Sequence, residues 1–217
     1  GVWVSGKFRW LDDGRWERKV RYQDETLVSD VVFYHPDLDI ELSGSEIVDF
    51  HENLLLRRYK IRIPSGQERE VRLFFHHDFH IEQSEVGDTA YYEPERRAVI
   101  HYKGPQWFLI NGAVETGLAP FEAGDNTFKG LSAGVHQWAC GLKEIHSLEG
   151  TWRDAEDGVL SGSDVAHGSV DSTVGFSISV PSGQSKTIWY WMAIGENFEQ
   201  VTAINRTVRK RGPDVFV

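Results

Sequence analysis

The sequence predicts an all-β antiparallel sandwich that ends in one short helix. Three observations carry this. Short β-like runs separated by turn signals recur from Val2 to Ile194. Residues 69–83 alternate with period two, placing Val71, Leu73, Phe75, His77, Phe79 and Ile81 on one face and Arg72, Phe74, His76, Asp78 and His80 on the other. A clear helical spacing appears at the end, in Phe198, Val201, Ile204 and Val208. Strands at regular spacing favour a sandwich over parallel βαβ units.

The elements follow in order. Residues 2–4 and 7–10 flank Ser5-Gly6, a two-residue hairpin turn. Asp12-Asp13-Gly14 is a second turn, residues 16–22 and 27–34 are β-like, and His35-Pro36-Asp37 breaks the latter run. Residues 38–50 are acidic and alternating, and 54–63 form the next strand. In the 69–83 run the first face is core; the second is partly polar and turns to solvent, a cleft or a neighbouring domain. Pro-Ser-Gly-Gln occurs at 64–67 and 181–184. It is shared turn chemistry, with proline presetting φ and glycine accepting positive φ, and not a repeat, because the flanks differ. Across 116–150 the alternation fails, and a short helix is expected over 135–143. Residues 169–180 and 185–194 return to strands. In the last, Trp189 and Trp191 oppose Tyr190 and Met192, so apolar bulk lies on both faces, as in a central, doubly buried strand. Gly212-Pro213 stops the final helix. The expected organisation is a sandwich over 1–195 and the start of a linker helix over 196–217.

Composition narrows the function. The 8 Trp, 12 Phe and 7 Tyr among 217 residues supply a sizeable core. A formal charge of −10, from 23 basic and 33 acidic residues, argues against nucleic acid and anionic membrane as partners and says nothing against neutral sugars. The one cysteine, Cys140, cannot form an intrachain disulfide and reads as a small buried hydrophobe. No apolar run reaches membrane-spanning length and no signal peptide is visible, so the cytoplasm is the expected location. Nothing calls for a cofactor.

Candidate chemistry is sparse. On a strand, His76, Asp78 and His80 project to one side in steps of about 7 Å, too long a line for easy metal coordination, so no metal is expected there. His76 or His80 with Glu82 resembles the His/Glu acid–base pairing of galactose-mutarotase-like sandwiches. Glycoside hydrolysis needs two carboxylates across a cleft, but the acidic knots at 85–88 and 154–157 lie in turn-like sequence and read as solvated loops. Trp3, Trp10, Trp16 and Trp107 lie near turns and are the candidates for sugar stacking, which would make α-glucan a ligand. Asn205-Arg206-Thr207 matches a glycosylation sequon and is read as incidental.

Several stretches together resemble one family. They are Gly1-Val2-Trp3-Val4-Ser5-Gly6 with Trp10-Leu11-Asp12-Asp13; Val71-Arg72-Leu73-Phe74-Phe75-His76-His77-Asp78-Phe79; Gly87-Asp88-Thr89-Ala90-Tyr91-Tyr92; Ile100-His101-Tyr102-Lys103-Gly104; Glu149-Gly150-Thr151-Trp152-Arg153-Asp154-Ala155-Glu156-Asp157-Gly158; and Gly168-Ser169-Val170-Asp171-Ser172-Thr173-Val174-Gly175-Phe176. Their order and spacing resemble the N-terminal domain of prokaryotic glucoamylases of glycoside hydrolase family 15, over residues 1–211. The resemblance implies an antiparallel super-sandwich of galactose-mutarotase-like type, and a helix from about Glu196 that begins the linker to an (α/α)6 barrel. It implies that both catalytic glutamates lie in that barrel and none in this chain. The family pattern also has a segment ahead of the Gly-Val-Trp strand, which implies that one sheet lacks a strand here. The expected role is a non-catalytic sandwich that stabilises and shapes the barrel. Asp88, Thr89, Trp152, Arg153, Asp154, Asp157, Phe198 and Val201 are the expected structural or inter-domain contacts. The alternatives are a stand-alone carbohydrate-binding module and a mutarotase-like enzyme. Without a barrel, the stripe of Phe198, Val201, Ile204 and Val208 is expected to pair with a second copy of the chain, together with the sheet face around Phe74.

Overall fold

The computed structural model describes residues 1–26, 28–84, 86–116, 127–128, 130–144 and 148–216. The strands are β1 (Val2–Val4), β2 (Lys7–Arg9), β3 (Glu17–Tyr22), β4 (Ser29–His35), β5 (Ile40–Val48), β6 (Leu54–Arg62), β7 (Arg69–His77), β8 (Asp88–Glu93), β9 (Ala98–Lys103), β10 (Gln106–Glu115), β11 (Thr127–Phe128), β12 (Leu131–Ala133), β13 (Gln137–Leu142), β14 (Val165–Gly168), β15 (Val170–Val180) and β16 (Ser185–Gly195). The helices are α1 (Thr151–Asp154) and α2 (Phe198–Arg211). Among the described residues the strands form a small sheet, ordered β13-β15-β7-β1-β2, and a large one, ordered β14-β8-β9-β10-β16-β6-β5-β4-β3. The short β12 pairs with β10, and β11 with β12. Every pairing is antiparallel.

Alternation sorts the side chains into layers. The central core joins Val2, Leu73, Val174 and Phe176 of the small sheet to Leu42, Ile61, Val99, Ile110, Ile188 and Tyr190 of the large one. The outer face of the large sheet packs Leu54, Leu56, Trp189 and Trp191 under Val208, and Ile100, Leu109 and Ala193 under Val201. The outer face of the small sheet packs Phe74 and Ala139 under Ala155 and Leu160, which follow α1. The apolar bulk on both faces of β16 is therefore that of a central strand with the second sheet on one side and α2 on the other.

The hairpin at Ser5-Gly6 takes φ of +50° and +83°, as its two-residue loop requires. Both Pro-Ser-Gly-Gln segments are turns with glycine at positive φ, +88° at Gly66 and +70° at Gly183. They also share a task. Each carries the chain from one sheet to the other, β6 to β7 and β15 to β16. They lie side by side, because β6 pairs with β16 and β7 with β15, and the Gly183 N–H donates to the Ile63 carbonyl at 3.0 Å.

Three expectations are corrected. Residues 137–142 are strand β13, not helix. Val135, Trp138, Ala139 and Leu142 mimic helical spacing, but Cys140 faces the central core while Ala139 faces Phe74. The alternation from Arg69 ends at His77, and Asp78 and His80 lie beyond the strand. Third, the stripe on α2 is not left exposed. Val201 and Val208 are fully buried against the large sheet of the same chain, and Phe74 is 2 % exposed. Phe198 and Ile204 are partly buried beside the two valines, so the chain's own sheet covers most of the stripe.

Helix α2 starts at Asn197, whose Oδ1 accepts the Gln200 N–H at 2.9 Å. It stops at Gly212 (φ +91°), whose N–H donates to the Val208 carbonyl.

Candidate functional site

The large sheet outruns the small one. β3 is exposed along its whole length, on both faces, so the inner face of β3, β4 and β5 is open where the small sheet no longer covers it. One row of cross-strand neighbours crosses this face. Tyr22 pairs with Ser29, Ser29 with Glu46, Glu46 with Arg57, and Arg57 with Tyr190. Five strands about 4.8 Å apart place the ends of this row roughly 19 Å from each other. Beside it runs a second row of Val20, Val31, Gly44, Tyr59 and Ile188.

Three adjoining cavities follow these rows. One of about 250 Å³ lies between Tyr59, Phe75, His77 and Tyr190. The next, of about 190 Å³, shares Arg57 and Tyr59 with it and adds Val31 and Gly44. The outermost, of about 620 Å³, shares Ser29 and Glu46 and is walled by Tyr22, Val48 and Phe50. Together they form one groove that runs across the strands. Gly44 makes its middle possible: a Cβ there would sit 3.1 Å from the Tyr59 ring.

The waist of the groove is a hydrogen-bonded ion pair between Arg57 Nε and Glu46 Oε2. Burial pulls the Arg57 guanidinium down, but the Glu46 bond and the neighbouring Tyr59 and Tyr190 outweigh it and hold Arg57 above its ordinary value. The Arg57 guanidinium also stands 5.9 Å from the Tyr190 ring centre. Burial raises both Tyr59 and Tyr190, so both hydroxyls stay protonated.

At the inner end a buried polar chain stitches the two sheets. Tyr190 Oη lies 2.8 Å from His77 Nε2, Ser172 Oγ lies 3.3 Å from His77 Nδ1, and His101 Nε2 lies 2.7 Å from Ser172 Oγ. Burial, with His101 and His76 adding to it, drops His77 well below the usual histidine range. Burial, then His76 and Lys143, brings His101 down to about 3. Both imidazoles are neutral at pH 7 and serve as one-donor, one-acceptor links.

The groove thus offers aromatic faces, the hydroxyl-bearing Tyr22, Ser29, Tyr59 and Tyr190, one carboxylate acceptor and one donor fork. It does not present the carboxylate pair of a hydrolase: Glu46 is bound to Arg57, and Asp49, at the outer rim, accepts the backbone N–H groups of His51 and Glu52.

Of the residues singled out in the sequence, Trp10 and His76 line the inner cavity, and the others lie elsewhere and in several places. His76 Nε2 bonds the buried Asp171 at 3.0 Å, and Asp171 also accepts the Thr151 N–H at 2.9 Å. Asp78 pairs with Lys143 Nζ at 2.5 Å, and His80 Nε2 is 4.0 Å from Asp78. Glu82 lies in a turn after the strand, at φ +57°. Among the described residues no three His, Cys, Asp or Glu side chains are grouped to hold a metal ion. Asp88 is 1 % exposed and faces Lys103 Nζ at 3.1 Å, so it ties β8 to β9 within the chain. Thr89 Oγ1 lies 2.8 Å from His167 Nδ1.

Trp152, Arg153, Asp154 and Asp157 cap the outer face of the small sheet. Arg153 lies over Trp152 and pairs with Glu144 at 2.7 Å, Asp154 accepts the Ser161 N–H, and Asp157 that of Val159. Phe198 and Val201 belong to α2, on the opposite side of the molecule.

The stacking candidates also scatter. Trp16 is buried, edge-on to His35 and Phe33, which corrects the expectation that it is exposed. Trp3 lies under Arg72 at 4.2 Å, Trp10 contacts Phe8 and Trp152, and Trp107 stacks on Tyr102. Asn205 is 2 % exposed and accepts from Trp191 Nε1 and Asn111 Nδ2, so the sequon is closed to modification in this fold. Cys140 is buried, which pushes its thiol up to about 12.

Sequence reasoning missed the row through Glu46, Arg57 and Tyr190. An arginine among the inward residues of an apolar strand was the available signal; the register that joins it to Glu46 was not.

No family model matches the sequence, and no curated protein matches it. Solved structures do. A bacterial glucoamylase complexed with acarbose superposes with a TM-score of 0.65 at 11% identity, over 94% of this chain and 27% of that one. Heparinase III gives a TM-score of 0.44 at 9% identity, over 83% of this chain and 21% of that one. The chain therefore spans about a quarter of the length of the glucoamylase it matches and shares the fold of that part.

Proposed function

We propose that the chain is a non-catalytic sandwich domain of a glucoamylase-like α-glucan hydrolase, which packs on and shapes an (α/α)6 catalytic barrel. The observation that supports it is the superposition of nearly the whole chain on about a quarter of a bacterial glucoamylase. The absence of a carboxylate pair in the groove fits the same reading. Outward contacts to a barrel would fall to Thr89, Trp152, Arg153, Asp154 and Asp157 or, on the opposite side, to Phe198, because Asp88 and Val201 are buried inside the chain.

The gene on the 3′ side of the Val217 codon tests the proposal. The expected result is an open frame encoding a helical-hairpin barrel, together with no glucose release from maltooligosaccharides by residues 1–217 alone. A stop codon at that point, or hydrolysis by the purified chain that vanishes on mutating one of its own carboxylates, would sink it. A stand-alone carbohydrate-binding module is the second reading. It is favoured by α2, whose apolar stripe is already covered by the chain's own sheet.

A further inference from the structure

We infer that the groove across the inner face of β3, β4, β5, β6 and β16 is a binding site for a linear neutral oligosaccharide. It is centred on the Glu46–Arg57 pair, with Tyr22 and Phe50 at its outer end and Tyr190 at its inner end. This goes beyond the domain role proposed above and does not depend on it; a sandwich with or without a barrel could carry the groove.

The shape selects an extended ligand. Three cavities that share residues two by two follow one cross-strand row of about 19 Å. The direction of the row selects against a peptide strand. Peptides add to sheets at free edges, where main-chain N–H and C=O groups are unpaired. Of the strands under the groove only β3 has a free edge, and a peptide added there would run along β3 and not across the row; the rest of the floor is side chains of β4, β5, β6 and β16, whose backbone groups are spent on ladders to both neighbours. Recognition has to come from side chains and ring faces.

The chemistry selects the ligand class. Arg57 only donates and Glu46 only accepts. Held side by side, they match a vicinal diol, which accepts at one hydroxyl and donates from the next. Their charges cancel, so neither an anion nor a cation gains from entering unless it displaces one partner. The pair is reachable, with side-chain exposures of 34% for Arg57 and 43% for Glu46. Apolar surface flanks it on both sides. Tyr22 is 67% exposed, Val48 73% and Phe50 92%, which is costly for residues that cover nothing, while Tyr59 lies on the inner side of the pair. Alternating C–H faces and hydroxyls of a glycan chain suit such a floor. Of the tryptophans that the sequence nominated for stacking, Trp10 lines the inner cavity, and none lines the two outer ones.

Titration calorimetry on the full chain tests this with glucose, maltoheptaose and cellohexaose. The two oligosaccharides separate α- from β-linked chains, and binding of either one meets the inference. One of them is expected to bind at least about tenfold more tightly than glucose, because it fills more of the row. Tyr22→Ala and Glu46→Ala are each expected to weaken that binding about tenfold, the loss typical of a hydrogen bond to a charged group in the second case. Tyr22 covers nothing, so its variant should melt with the parent. Three results would overturn the inference: neither oligosaccharide binding at 10 mM (about −2.7 kcal/mol); binding that is unchanged in Tyr22→Ala and Glu46→Ala but lost in Trp107→Ala; or a chain dimer, broken by Tyr22→Ala, that leaves the groove closed to sugar.

Discussion

The centre of the large sheet and its β3 side differ in what lies on each face. At β9, β10 and β16 both faces are covered, by the small sheet on one side and α2 on the other, and Trp191, Leu109 and Ile110 are fully buried. At β3 to β5 the inner face is open, and Val20 and Tyr22 of β3 stand in solvent beside the strands that carry Ser29 (β4) and Glu46 (β5). The comparison teaches where this sequence spends its hydrophobic surface on stability and where it leaves surface for recognition. At the clad centre a side chain answers to its packing; at the open end it answers to what can enter.

If that contrast holds, the clad centre should be intolerant. Trp191→Ala removes a fully buried indole and its hydrogen bond to Asn205. A loss of about 3–5 kcal/mol is expected in urea unfolding, and a loss below about 1 kcal/mol would break the contrast. Val201→Glu forces a carboxylate between α2 and β10/β16, and a loss of about 3 kcal/mol is expected. The same variant separates burial from self-association: sedimentation of the parent should not depend on Val201, since the residue is inaccessible.

A pH series sharpens the picture of the seam between the sheets. His77 and His101 have folded-state values below the unfolded value near 6.5, so the unfolded chain takes up protons first. Their contribution is fully present above about pH 6.5 and is lost as pH falls from there toward 3. The cost is on the order of 1 kcal/mol for His101 on going from pH 7.5 to 5.5, and His77 acts in the same direction. His101→Gln should therefore flatten the fall in midpoint over this window, relative to the parent in the same buffers. An equal slope in both proteins would remove His101 from the account.

Much of the covered region was legible in the sequence, because alternation and burial agree there. The inward set of β7 reads correctly up to His77, and the aromatic bulk on both faces of β16 marks a central strand. Legibility failed in two ways. In β13 the glycine and small residues that let Ala139 and Gly141 pass under Phe74 and Thr151 also broke the period-two pattern. A Cβ on Gly141 would lie 2.6 Å from Thr151 Cγ2, so the glycine reports a close approach and not a helix or a loop. The groove failed for another reason. Tyr22, Ser29, Glu46, Arg57 and Tyr190 become neighbours only through the register of four strand pairs. Hairpin lengths fix part of that register, but the β6–β16 pairing joins segments more than a hundred residues apart. The fate of the α2 stripe was invisible for the same reason: a helix pattern shows that a face must be covered, not by what.

The smallest expected effect is the most direct measure of the contrast, because one substitution can be made in the covered core and on the open inner face. Val20 on β3 and Val174 on β15 both face inward; Val20 is 68% exposed and Val174 is fully buried. Threonine keeps the volume and the β-branch that favours strands, and exchanges a methyl for a hydroxyl. At Val174 the hydroxyl enters the core between Cys140, Phe75 and their neighbours, where burying it without a partner costs about 1–3 kcal/mol. At Val20 water solvates it, and the change should stay within about 0.5 kcal/mol. Equal losses at the two sites would mean that the inner face at β3 is covered in solution, and that the groove is closed. A difference of at least about 1 kcal/mol, with the loss at Val174, is the result that keeps the open end open.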